Sequence, residues 1–315
     1  MLVTGIPRAG TSWVGKMIEV SGGLVYVNEP MNPQHPPGGS PGVLRAPIRH
    51  RFQYITEEND DDLFPAFQDT VGLRYHVLDE LAQNHSPADL LRLGKYWSSF
   101  VRGRLRRRRA LLDDPFAVFS VVWFARTLGC QTVVVVRHPA AVVSSRKRLR
   151  HTIDFGHLLN QPFLVRDWLA PFHEEMEAMQ TRPDDLVGQG SLLWRVIYYV
   201  VDESRKLVPS LHVVRHEDLS VAPTDEYRAL FSTLALPFTE RVEREIEAAT
   251  HGGTDAHSHS WSISRRGLSR TGFRPRDSRA YVTRWRAELE EHEIARVRAL
   301  TEGVASRYYD ESDWT

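Results

Sequence analysis

The chain has 315 residues, with 42% hydrophobic and 25% charged side chains. These proportions exclude a disordered, collagen-like or coiled-coil protein and leave room for a large core. Forty basic residues balance forty acidic ones, so no global field draws the chain to nucleic acid, and any bound anion must be caught locally.

In chain order, Leu2-Val3-Thr4 reads as a short buried strand running into Gly5-Ile6-Pro7-Arg8-Ala9-Gly10. Thr11 and Ser12 open a helix whose apolar stripe is Trp13, Val14, Met17 and Ile18. Leu24 to Val27 is a second strand, followed by a Pro- and Gly-rich stretch expected to be a long loop. Residues 62–109 look helical with breaks, and Ala110-Leu111-Leu112 is a third strand. A helix is expected over Phe116–Leu128, then the buried strand Thr132–Val136, then a helix from Pro139 to Arg150. Further helices are expected at 162–181 and 189–207, a strand at Leu211–Val214, and helices near 223–235 and 239–249. Residues 252–277 read as a loop and 288–308 as the last helix.

This alternation predicts an α/β fold: a P-loop-type parallel sheet of about five strands, helices on both faces, and helical insertions. With no internal repeat and no long linker, residues 1–315 are expected to form a single domain. The lone cysteine, Cys130, excludes an internal disulfide and suits a reducing, cytoplasmic compartment. No apolar stretch approaches the roughly 20 residues of a membrane helix, and MLVTG enters a strand without room for a signal peptide. Ligands of such sheets bind outside the carboxyl ends of the strands. Those ends carry Gly5–Ser12, Asn28-Glu29, Asp113-Asp114, Arg137-His138 and Arg215-His216.

Gly5-x-x-x-x-Gly10-Thr11-Ser12 has the glycine spacing of a phosphate-binding loop. Thr11 stands where a nucleotide-hydrolysing loop carries lysine, and the cation is Arg8 inside the loop. Turn amides and the first helical N–H groups still form a cradle for a tetrahedral oxyanion. Beyond the fourth strand, Arg137 and Ser145, eight residues apart, could converge on one phosphate. An arginine there implies charge neutralised by side chains rather than by metal.

Together these stretches resemble the sulfotransferases that use 3′-phosphoadenosine 5′-phosphosulfate (PAPS), and the resemblance covers most of the chain. Thr4–Trp13 resembles the family's 5′-phosphosulfate loop, which assigns donor contacts to Ala9, Gly10, Thr11, Ser12 and Trp13. Arg137 and Ser145 match its 3′-phosphate pair, and Arg266-Gly267 is a further candidate for that phosphate. Val213–Leu219 with Phe231–Pro237, and Tyr281–Leu289, are similar to segments of bacterial members. Within the family the chain is closer to the glycan and tyrosylprotein branch. Glu29, 21 residues after Arg8, matches the general base of that branch, with Asp114 in reserve as base or as a helix cap.

Two positions depart from the family pattern: Asp113 replaces a lysine that offsets transition-state charge, and His216 stands where tyrosine is frequent. The resemblance implies sulfuryl transfer to a hydroxyl of a glycan, glycolipid or small metabolite, with Arg8 and Glu29 catalytic. It calls for no metal, while the charge balance argues against a nucleic-acid partner and the short apolar stretches against a transmembrane segment. Two alternatives stay open: a Mg²⁺-dependent P-loop nucleotide or metabolite kinase using Asp113 or Asp114, and a non-catalytic nucleotide-binding protein. The six arginines of Arg102–Arg109 read as a solvated face, or as a contact for an anionic acceptor or lipid. His251, His257 and His259 fit no zinc spacing.

Overall fold

The computed structural model describes residues 1–33, 40–250 and 281–315. Five strands, β1 (Leu2–Gly5), β2 (Leu24–Asn28), β3 (Arg109–Asp113), β4 (Thr132–Val136) and β5 (Leu211–Arg215), form one sheet in the order β2-β3-β1-β4-β5. Every neighbouring pair is parallel, as runs of β-branched residues without polar alternation lead one to expect. β1 and β4 are buried along their whole length. Burial on both faces requires helical cover on both.

Register decides what the sheet presents. Gly5 lies opposite Val135, Asn28 opposite Asp113 and Val136 opposite Arg215, so all five strands end on one edge. Successive connections run to opposite sides of β1, which opens a crevice at its carboxyl end. The helix Thr11–Glu19 starts in that crevice.

The helix Leu186–Leu207 packs against Pro139–Arg148 and Glu291–Ala305, burying Trp194 and Tyr198 completely. The Tyr198 hydroxyl donates to the Val135 carbonyl over 2.8 Å, tying this layer to the centre of the sheet. Residues 62–109 hold three helices, Leu63–Val71, Val77–Gln83 and Pro87–Leu105, before β3. The last begins at a reciprocal cap: the Ser86 hydroxyl accepts from the Asp89 N–H, and Asp89 accepts from the Ser86 N–H.

Two predicted helices differ in detail. The segment after β3 starts as a 3₁₀ helix (Pro115–Ser120) and becomes α-helical only over Val121–Arg126. The helix expected over 162–181 is divided into an α turn, a π-helical turn (Val165–Leu169), a 3₁₀ turn (Ala170–Phe172) and the helix His173–Gln180. Pro171 supplies the reason, since it lacks an N–H and its ring crowds the carbonyl four residues earlier. A short helix, His216–Val221, follows β5 directly and was not anticipated. The region 252–277, read as a loop, lies outside the described residues.

Candidate functional site

The loop after β1 is built on unusual backbone angles. Gly5 has φ 148°, and a Cβ there would lie 2.4 Å from the Val135 carbonyl oxygen of the paired strand. Gly10 has φ 98°, and its Cβ would lie 2.6 Å from the His216 ring. Between them Arg8 takes the left-handed region, φ 84°, which non-glycine residues rarely occupy. Such strain at a non-glycine position is characteristic of functional loops. No side chain caps the helix at Gly10, so its positive end faces the bend of the loop.

Trp13 is buried edge-on against His216 (5.4 Å) and Tyr227 (5.6 Å), and its main-chain N–H donates to the Gly10 carbonyl. It supports the loop from behind. His216 is fully enclosed; burial, reinforced by the Arg137 charge, holds its pKa well below the usual value, so the ring is neutral.

The loop and the second motif meet through Arg8. Its Nε donates to Ser145 Oγ at 3.1 Å, and its main-chain carbonyl accepts from Arg137 Nη1 at 2.9 Å. Arg137 also donates to the Tyr281 carbonyl (3.3 Å), while its buried Nε has no acceptor among the described residues. Trp194 Nε1 holds the Arg137 carbonyl at 2.8 Å. The countercharge is Glu217, which accepts from the His138 N–H (2.9 Å) and the Tyr309 hydroxyl (3.1 Å). Burial raises the Glu217 pKa, while the His138 N–H and Arg137 hold it down.

Glu29 stands at the end of β2 with φ 43°. Its N–H donates to the Asp113 carbonyl (2.8 Å), and its Oε2 accepts from Asn32 Nδ2 (2.7 Å). Burial raises its pKa, with Asp113 adding to the rise, and Asn32 and Arg51 oppose it. Asp114 is enclosed, with one oxygen accepting from the Phe116 N–H (2.9 Å) and the other from the Met31 N–H (2.5 Å). It caps the 3₁₀ helix and anchors the chain just past Glu29, so both oxygens are engaged by main chain.

Asp113 is buried beneath the loop and accepts from the Tyr26 hydroxyl. Burial raises its pKa, opposed by the hydroxyls of Tyr26, Ser12 and Thr11 and by Lys16. The Lys16 ammonium lies 3.4 Å from the centre of the Tyr26 ring.

Two arginines that sequence reasoning missed complete the site. Arg146 is buried, donates to the His151 and Thr152 carbonyls, and has no acceptor for Nε among the described residues. Its pKa is pushed down to about 10, by burial first and then by the Arg51 and Arg8 charges. Arg51 lies over the Phe116 ring at 5.2 Å, with a buried Nε that also lacks an acceptor. Burial lowers its pKa and the Glu29 charge restores part of it. Arg146 directly follows Ser145, the one signal that could have found it; Arg51 sits among other loop arginines with nothing to mark it.

The fold thus brings Arg8, Arg137 and Ser145 together, sets Arg146 within electrostatic reach of Arg8 and Arg51, and sets Arg51 within reach of Glu29. Arg266 and Gly267, and the histidines at 251, 257 and 259, lie outside the described residues.

No family profile matches the chain and no curated protein is similar to it in sequence. Solved structures are. The sulfotransferase domain from the curacin biosynthetic pathway aligns at TM-score 0.50 and 13% identity, over 97% of this chain and 95% of that one. The sulfotransferase domain of the Synechococcus PCC 7002 olefin synthase aligns at 0.40 and 16%, over 98% and 94%. Sulfotransferase STF9 from Mycobacterium avium aligns at 0.41 and 13%, over 99% and 77%. The five-stranded parallel sheet with its helical layers is therefore the fold of a sulfotransferase domain.

Proposed function

We propose that the chain is a PAPS-dependent sulfotransferase acting on a hydroxyl of a glycan, glycolipid or small metabolite. The observation that carries this reading is the convergence on Arg8, whose side chain holds Ser145 while its carbonyl takes Arg137. A loop suited to one phosphate and a pair suited to another are thereby joined, as a doubly phosphorylated nucleotide requires. Buried guanidinium nitrogens on Arg137, Arg51 and Arg146 without acceptors among the described residues fit anionic ligands.

In this reading the amides of Ala9–Ser12, with the Thr11 and Ser12 hydroxyls, hold the 5′-phosphosulfate. Arg137 and Ser145, with Arg266-Gly267, hold the 3′-phosphate. The bound donor supplies an electrophilic sulfur whose bond to the leaving phosphate oxygen breaks as the acceptor oxygen bonds to it. Glu29 accepts the proton of that acceptor hydroxyl. Arg8, Arg51 and Arg146 place positive charge where negative charge accumulates on the leaving group, in the role that Asp113 cannot fill. We further assign the 315 residues to one domain working in the cytoplasm without a required metal or nucleic-acid partner.

A second reading has a specific observation behind it. Asp113 lies beside the Ser12 and Thr11 hydroxyls at the end of β3, where a P-loop kinase holds Mg²⁺. Thermal shift separates the two. Adenosine 3′,5′-bisphosphate at 100 times Kd without Mg²⁺ should stabilise by about 2.7 kcal/mol, raising Tm by about 4 °C. Larger, Mg²⁺-dependent stabilisation by ATP would reject the sulfotransferase reading in favour of the kinase.

A further inference from the structure

Seven of the ten exposed large apolar side chains among the described residues fall between Leu78 and Leu105. Four of them, Leu90, Trp97, Val101 and Leu105, recur on the helix Pro87–Leu105 at intervals of seven, four and four. That spacing keeps them on one outward stripe, about 22 Å long at 1.5 Å per residue. Leu105 is 79% exposed, Leu90 48% and Trp97 47%. The inner side of the helix is its anchor, with Phe100 buried against Tyr75 and Gly103 against Val25 of β2.

Charge is concentrated on the same helix and the turn that follows it. Residues 90–109 hold eight Lys and Arg and no Asp or Glu, so the rest of this neutral chain carries a net −8. Among the described residues none of the six arginines from Arg102 to Arg109 pairs with a carboxylate. Arg102, Arg104, Arg106 and Arg107 are exposed. No described helix is long and apolar enough to cross a membrane.

We propose that this face docks on an anionic lipid bilayer. Leu90, Trp97, Val101 and Leu105 enter the boundary between headgroups and acyl chains, and the arginines at the helix end contact the anionic headgroups. Both halves of the surface are needed. A soluble polyanion would use the arginines and leave the apolar stripe in water, whereas a bilayer satisfies stripe and charge together. The charge asymmetry of the chain turns the basic end toward a negative surface, and the buried side of the helix keeps the stripe outward. The inference rests on exposure and charge alone and holds whatever reaction the loop region supports.

Cosedimentation of the full chain with vesicles tests it. At 0.1 M salt, vesicles of phosphatidylcholine with 30 mol% phosphatidylglycerol should bind the protein, and pure phosphatidylcholine vesicles far less. Replacing two exposed arginines (Arg106→Gln with Arg107→Gln) should weaken binding about 30-fold, at roughly fivefold per arginine. Trp97→Ser with Leu105→Ser should weaken it as well, with thermal melts showing that the fold is retained, since Leu105 is 79% and Trp97 47% exposed. Failure to bind the anionic vesicles overturns the proposal. So does loss of binding in the arginine variant alone, which would assign the surface to a soluble polyanion.

Discussion

Replacing Glu29 by glutamine tests the chemistry at its most exposed point. The amide keeps the shape of the carboxyl and an oxygen that can still accept from Asn32 Nδ2, now at 2.7 Å. What it loses is the ability to take a proton. General-base catalysis is worth about 10²–10⁴-fold, or roughly 3–5 kcal/mol in the barrier, so kcat should fall by that factor. Donor binding should not weaken, because Asn32 and the Asp113 main chain lie outside the Arg8–Arg137–Ser145 cluster. Arg51, the remaining partner of Glu29, keeps its full charge toward the leaving group when the carboxylate is removed.

The pH profile adds a signed check. Glu29 acts deprotonated, and burial together with Asp113 raises its pKa, so activity should be lost on acidification above the ordinary glutamate range. Asn32 stabilises the charged form, hence Asn32→Ala should move that acid limb to still higher pH. The assays are transfer of labelled sulfate from PAPS to a true acceptor, and calorimetric binding of adenosine 3′,5′-bisphosphate. A Gln variant with kcat within about threefold of wild type would refute the assignment of the base.

Three other outcomes follow from the geometry. Gly5→Ala combines φ 148° with a Cβ placed 2.4 Å from the Val135 carbonyl, and should cost at least about 3 kcal/mol, seen as a Tm lower by about 5 °C. A Tm within a degree of wild type would show that the strand pair can yield. Arg137→Ala removes donations to the Arg8 and Tyr281 carbonyls and the countercharge of Glu217, so it should weaken bisphosphate binding by about 2–5 kcal/mol in calorimetry. Binding retained at the wild-type level would separate Arg137 from the donor site. His138 is stacked on Trp285, and burial, followed by Arg215, Arg286 and Arg137, lowers its pKa to about 3. The unfolded chain binds this proton near pH 6.5 and the folded chain does not, so stability falls as pH drops below 6.5. Between pH 6.5 and 5 the loss is about 2 kcal/mol, and thermal melts of His138→Phe should show a correspondingly smaller decline.

Much of the fold is legible in local chemistry. The buried strand Thr132–Val136, the glycine-spaced turn after Leu2–Thr4 and the alternation of strands with helices lead to a parallel α/β sheet, which the structure has. Boundaries are less legible where local and non-local demands compete. Pro171 breaks a stretch that composition alone would continue as helix, and the 3₁₀ turn after Asp114 answers to the tie between Asp114 and Met31. For the candidate site, Arg8 was nameable from the glycine spacing of its loop and Arg137 and Ser145 from their place after the fourth strand, while Glu29 was named through the family resemblance. Arg51 and Arg146 were not, because nothing in an arginine-rich chain distinguishes one guanidinium from another.

The sequence alone therefore determined the order of strands and helices, the glycines of the loop, and which polar residues stand at strand ends. These depend on neighbours a few positions away, whose propensities and periodicities are written locally. Tertiary structure alone decided which charges meet. It set Arg8 between Ser145 and Arg137, enclosed Glu217 as the countercharge of Arg137, placed Arg51 beside Glu29, and brought Arg146 near Arg51 and Arg8. It also left one helix of a neutral chain facing solvent with leucine, tryptophan and, at its end, arginines that meet no carboxylate among the described residues. Charge interactions and burial depend on distance through space, and that distance exists only once the sheet has closed.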